Sequence, residues 1–243
     1  MADSRVALVT GSTSGIGEAV ARRLVERGWR VVINSVKSVD AGKALVAELG
    51  EATHYVQADI SVDADVSRLV RETVEHFGRL DVLVNNAGTT VRIPHHDLEA
   101  ATADVFRRLY DVNVVGTWQL TIAAMPHLRE RADGCVVNVS SLAGVRPTGS
   151  SIPYATSKAA LNHLTRLLAN VVGPEVRVNA VAPGLIDTPW TADWDDVRAG
   201  VSAMAPLKRS GQPDDVASAV LGLIESRYVT GEVWVVDGGL SLR

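Results

Sequence analysis

The stretch "VALVTGSTSGIGEAV", residues 6–20, decides the fold. An apolar run ends in Gly11, Gly15 and Gly17, and an amphipathic segment starts at once, with Ile16, Val20 and Leu24 at i, i+4 and i+8 and Gly28 as a helix stop. That is strand, turn, helix. A turn of glycines at a helix N-terminus lets the backbone approach a pyrophosphate closely, and the free N–H groups and partial positive charge of the helix start favour an anion. A plain tight turn would use the same residues.

Working outward, short Val-rich runs alternate with amphipathic segments along the chain, the pattern of strand–helix units around a parallel sheet. Strands are expected at 6–10, 30–34, 53–57, 80–85, 135–140, 176–182 and 232–237. A second helix is expected over 63–78, with Val66, Leu69, Val70, Val74 and Phe77 on one face. From Ile152 to Val172 the apolar residues spread around most of the circumference, so this helix needs partners on two sides, and a subunit contact is inferred. The expected class is α/β, a Rossmann-like doubly wound parallel sheet of seven strands with helices on both faces, in a single domain over 1–243. A substrate loop at about 185–206 is expected as an insertion within it.

Composition sets outer limits. A chain of 243 residues, 47% hydrophobic, can bury about 70–75% of the surface of its unfolded form. With 24 basic against 28 acidic residues, a net charge of −4 and no basic block longer than a dipeptide, nucleic acid and anionic membrane are poor partners. The single cysteine, Cys135, sits in the apolar run "CVVNV" and reads as a packed core residue. No apolar run approaches the length of a membrane span, and the short run after "MADSR" is too brief for a signal peptide, so a cytoplasmic location is expected.

In order along the chain stand "TGSTSGIG", "NNAG" (85–88), "NVVG" (113–116), "SS" (140–141), "YATSK" (154–158), "APG" (182–184) and "TGEVWVVDGG" (230–239). Together they resemble the short-chain dehydrogenase/reductase family from Val6 to Gly239. The resemblance implies an oxidoreductase that interconverts a carbonyl and a secondary alcohol with a nicotinamide cofactor. It also implies a catalytic tetrad of Asn113, Ser141, Tyr154 and Lys158, Ser141 being preferred to Ser140 by its thirteen-residue distance from the tyrosine. By the same resemblance Gly11, Ser12, Ser14, Gly15, Ile16, Gly17, Asn85, Ala87, Gly88, Pro183 and Gly184 hold the dinucleotide. Asp59 and Ile60 meet the adenine, and Ile186 and Thr188 fix the carboxamide. Asp59 could instead cap a helix, and Thr188 could belong to a plain turn.

Four residues return a helix to nearly the same face, so Tyr154 and Lys158 can point at one place. A cation about 5 Å from the phenol, at an effective dielectric of about 20, contributes roughly 3 kcal/mol, or about 2 pKa units. Tyr154 is therefore expected to act as general acid with a lowered pKa, Ser141 to hydrogen-bond the same oxygen, Lys158 to hold the ribose as well, and Asn113 to anchor a relay water.

At the end of the second strand, "NSVKSVD" from Asn34 has Ser35 where an acid would bind a 2′-hydroxyl, and the first acid, Asp40, comes five residues late. NADP(H) is expected over NAD(H), with Asn34 beside the cofactor and Ser35 and Lys37 as candidate phosphate contacts; Lys37 also fits a solvated loop. The substrate is expected to approach through loops 89–98, 142–153 and 185–206, which offer Arg92, His95, His96, Trp190 and Trp194. The two histidines lack metal-ligand spacing, so no metal is expected. The tryptophans form a lid or pack onto the domain.

Within the family the layout resembles the 3-oxoacyl-carrier-protein reductases, for which Arg129 and Arg131 would meet an acidic carrier. Glu175 stands near where such reductases often have an arginine, so a free small or medium ketone or alcohol is the expected substrate. Helices over 112–131 and 153–172 suggest, by resemblance, a homotetramer or a homodimer. The rival reading is a non-catalytic sensor of NAD(P), against which the intact tetrad argues.

Overall fold

A computed structural model describes residues 4–131 and 133–243. Seven strands form one parallel sheet: β1 (Val6–Val9), β2 (Arg30–Ser35), β3 (Thr53–Gln57), β4 (Val82–Asn85), β5 (Gly134–Val139), β6 (Val176–Pro183) and β7 (Val233–Val236). Their spatial order is β3-β2-β1-β4-β5-β6-β7. The order reverses between β1 and β4, where the connections leave to opposite sides and a crevice opens at the carboxyl ends of the strands.

Alternation along each strand builds two cores. Val6 and Leu8 face one layer, formed by α3 (Asp63–Phe77), α5 (Thr117–Arg129) and α6 (Ile152–Val172). Ala7 and Val9 face the other, formed by α1 (Gly15–Glu26), α2 (Val39–Leu49) and α8 (Pro213–Glu225). Leu8, Ile33 and Leu83 are fully enclosed, and each such side chain stabilises the fold by about 1.5–3 kcal/mol. Cys135 lies within the second core, and burial pushes its thiol up to about 11.

Two further helices flank the crevice, α4 (Ala103–Tyr110) and α7 (Asp195–Met204). Helix α4 runs into a widened π-type turn, Asp111–Gly116, before α5 begins. Thus the helix expected over 112–131 starts with an irregular turn, and the expected substrate loop contains a helix. Among the described residues no helix is long and apolar enough to cross a membrane.

Candidate active site

The crevice between β1 and β4 is a cleft of about 1370 Å³. Its floor begins at the glycine turn. Gly11 and Gly15 have φ of +59° and +56°, and a Cβ on Gly15 would come within 3.1 Å of Thr188. Ser14 precedes α1 without a side-chain cap, so the helix start presents unclaimed N–H groups to the cleft. A Cβ on Gly88 would approach Asn113 Oδ1 at 3.3 Å and Lys158 Nζ at 3.4 Å. These bare positions form a cradle that side chains would fill, and they fit a dinucleotide.

Three residues expected at the cofactor lie beneath the floor instead. Ser12 is fully buried; its hydroxyl donates to the Val9 carbonyl at 2.7 Å and accepts from the Asn34 N–H at 3.0 Å. Gly17 packs where a Cβ would lie 2.5 Å from both Asn86 Nδ2 and the Gly11 carbonyl. Asn85, inward on its strand, donates to Thr121 Oγ1 and Asn138 Oδ1. The alternation of β4 gives the cleft to Asn86 rather than Asn85. Asn86 donates to the carbonyls of Thr10 and Gly11, and the Thr10 hydroxyl accepts from the N–H groups of Asn86 and Ala87, so strand end and glycine turn hold each other.

Beside β2, Asn34 borders the cleft with its amide engaged: it donates to the carbonyls of Val56 and Ala58 and accepts from the Gly11 N–H. The Ser35 hydroxyl lies 2.9 Å from that of Tyr55, and Lys37 is exposed at the rim. Tyr55 was not apparent as a neighbour of this corner. Its signal is Gly42 on α2, where a Cβ would lie 2.3 Å from the Tyr55 ring. Asp59 borders the cleft and accepts from the N–H and hydroxyl of Ser61 in a turn ahead of α3, whose N-cap is Val62, so it does not cap that helix; Thr188 opens a tight turn with Thr191, the local role open to it in sequence. Ile16, Ile60, Ala87, Pro183, Gly184 and Ile186 also line the cleft, as does Thr13.

Farther along, Ser151 caps α6 by accepting from the Tyr154 N–H, which starts the helix so that Tyr154 and Lys158 share its cleft-facing side. Lys158 Nζ lies 5.8 Å from the Tyr154 ring centre and donates to the Val139 carbonyl at 2.9 Å. Ser141, just past β5, accepts from the Ala143 N–H and hydrogen-bonds the Tyr154 side chain. Its neighbour Ser140 turns inward and donates to the Lys158 carbonyl.

Two expectations are corrected. Burial raises the Tyr154 pKa, and the Ser141 hydrogen bond offsets only part of the rise. Lys158, the cation expected to lower it, is itself desolvated, and burial pushes its own pKa down to about 8. Second, the Asn113 side chain does not reach the cleft. It accepts from the Thr89 N–H and donates to the Thr89 carbonyl and to Ser157 Oγ, clamping the chain after β4 to α6.

The outer walls carry Arg92, Arg108, His95, Trp190, Trp194 and Met204; His96 lies outside. Arg92 covers the Trp194 ring at 5.1 Å and pairs with Asp196 at 3.3 Å, bridging the chain after β4 to α7. Asp187 anchors the other end of that segment, accepting from Ser210, Gln212 and Arg198. Burial would raise the Asp187 pKa, but these three donors outweigh it and hold the carboxyl below its ordinary range.

A turn stripped of side chains at a helix start suits a pyrophosphate, and a phenol held by a serine suits proton exchange with a carbonyl oxygen. This combination on a doubly wound sheet defines the class of dinucleotide-dependent oxidoreductases. A family model described as enoyl-(acyl carrier protein) reductase matches residues 11–241. A protein of Streptomyces violaceoruber, assigned as ketoacyl reductase 2 of the granaticin polyketide synthase, is 58% identical over 243 residues, covering 99% of this chain and 97% of its own. The solved 3-ketoacyl-(acyl-carrier-protein) reductase of Brucella melitensis, complexed with NADH, is 32% identical with a TM-score of 0.92, covering 99% of this chain and 100% of that one. ElxO with NADP bound is 29% identical with a TM-score of 0.91 and the same coverage.

The chain belongs to the short-chain dehydrogenase/reductase family. It is an oxidoreductase acting on CH–OH groups with a nicotinamide cofactor.

Proposed function

We propose that the protein is a cytoplasmic, NADP(H)-preferring ketoreductase in which Tyr154 is the proton donor. The observation that carries this is the meeting of Tyr154, Ser141 and Lys158 in one cleft with the glycine cradle. The nicotinamide, when bound, supplies the hydride. Ser141 orients the ketone oxygen, and Tyr154 gives that oxygen its proton. The phenol is protonated at neutral pH at its ordinary pKa of about 10, and burial favours that same form, the one carbonyl reduction requires. Lys158 keeps a donor directed into the cleft, and its charge stabilises the phenolate that forms as Tyr154 gives up its proton, while Asn113 positions α6 through Ser157.

The NADP preference is supported by the lack of an acid at Ser35 and by Lys37 at the rim. Ketone reduction is supported by the 58% identity to a protein assigned as a ketoacyl reductase. Exposed apolar residues on α5 and α6, among them Trp118, Ile122, Leu167 and Val171, support a homotetramer built through these helices.

The test is initial rates on a simple ketone with each cofactor. The reading predicts a kcat/KM at least about tenfold higher with NADPH than with NADH, reduced in Lys37→Glu; tenfold corresponds to about 1.4 kcal/mol. A preference for NADH contradicts the cofactor assignment. Ketone turnover unchanged in Tyr154→Phe contradicts the catalytic one.

A further inference from the structure

The cleft exceeds the roughly 300–1,000 Å³ of an ordinary ligand pocket, so it has room for a sizeable substrate beside a dinucleotide. Two residues of the 185–206 segment describe the shape of that room. Trp190 is 47% exposed although it is the largest kind of side chain, and its ring stands at 80° to that of Tyr154 with centres 6.5 Å apart. Its neighbour Trp194 is engaged by Arg92, whereas Trp190 is open to the cleft.

Gly200 is the second. It lies inside α7, where glycine costs about 1 kcal/mol relative to alanine. A Cβ there would meet nothing within 4 Å, so packing does not demand the glycine. Gly200 lines the cleft, and its effect is to leave a strip of α7 backbone bare toward the substrate space.

We propose that this outer part of the cleft is a slot for a flat, fused-ring ketone, with Trp190 and Gly200 as specificity-determining residues. The inference rests on the ketone-reducing reading above. A rigid plate covers an aromatic ring and a bare backbone strip together without freezing rotors, whereas a flexible chain loses rotamer freedom to do the same. In the reaction the carbonyl carbon receives the hydride of NADPH, the oxygen receives the Tyr154 proton, and NADP⁺ and the secondary alcohol are released.

The experiment compares 2-tetralone with the linear ketone of equal carbon count, 2-decanone, using NADPH. The slot predicts a kcat/KM at least about fivefold higher for the ring, in line with aromatic contact energies. Trp190→Ala should remove most of that preference, Trp190→Phe should retain it, and Gly200→Leu should lower turnover of the ring ketone more than that of the chain. Circular dichroism of each variant reports folding, and the native comparison stands without any variant. Equal or better reduction of 2-decanone by the native enzyme overturns the slot while leaving ketone reduction intact. Equal losses for both ketones in Trp190→Ala also overturn it. Failure to reduce either ketone overturns both the slot and the reading beneath it.

Discussion

Burial of the Lys158 side chain pushes its pKa down to about 8, so at neutral pH the fold holds a desolvated cation. The folded pKa lies below the unfolded one, so the fold favours the neutral amine and loses stability as pH falls from the unfolded pKa toward about 8. Lys158→Met should therefore stabilise the protein below pH 8 by on the order of 3 kcal/mol, the gain shrinking as pH rises toward the unfolded value, while activity is lost. Urea unfolding at two pH values measures it; a variant less stable than the native protein at neutral pH contradicts the argument. The same titration shapes catalysis. Ketone reduction should decline above about pH 8 as Lys158 loses its charge, and a reduction rate still rising at pH 9 would sink that role.

The sequence carried the Tyr154–Lys158 partnership because helical spacing alone puts both on one face. It did not carry the direction of the Tyr154 shift, since desolvation depends on how deeply the whole fold encloses the pair. Nor did it carry the parity of "NNAG", which sends Asn85 inward and leaves Asn86 at the cleft.

Among the elements, β6 and α8 are joined by one side chain. Arg177 is nearly buried and donates to the carbonyls of Leu223, Ile224 and Ser226 at 2.9, 2.8 and 3.0 Å, satisfying the end of α8, and lies 3.4 Å from Asp133. Arg177→Met should cost about 3 kcal/mol by leaving these acceptors unpaired, and Arg177→Lys should restore less than half, because an ammonium cannot span the same acceptors. A loss below about 1 kcal/mol in urea unfolding would contradict this capping role.

On the outer edge of the sheet His54 of β3 stacks on His76 of α3, centres 4.0 Å apart. Burial first, then the His76 ring, lowers the His54 pKa, against the opposing pull of Glu72. The stability tied to neutral His54 is complete above the ordinary histidine value of about 6.5 and is lost as pH falls below it. The melting temperature should fall as pH drops below about 6.5, less steeply in His54→Leu; identical slopes contradict the coupling. The strands and helices α1, α3 and α6 were legible as periodic runs. Helix α7 was not, because "DDVRAGVSAM" is short and has a glycine at its centre, and its position depends on the distant Arg92 and Asp187 contacts.

For the molecule as a whole, strand order and the crevice follow from parallel strand–helix units and the glycine turn at the first of them, which is why the general fold could be foreseen. The outer walls could not, since they are assembled from three separated segments whose side chains meet only after folding. The proposed assembly belongs to this scale: Leu167→Lys with Val171→Lys should dissociate the tetramer by placing charges on the exposed face of α6. Sedimentation velocity reads the outcome, and an unchanged tetramer would move the contact elsewhere. The most direct measurement of the central claim is the turnover of a ketone with NADPH by native protein and Tyr154→Phe, with NADPH affinity followed by tryptophan fluorescence. The phenol account predicts a loss of about 10²–10⁴ in kcat with affinity within a few fold of native; a variant that turns over within about tenfold of the native enzyme would contradict it.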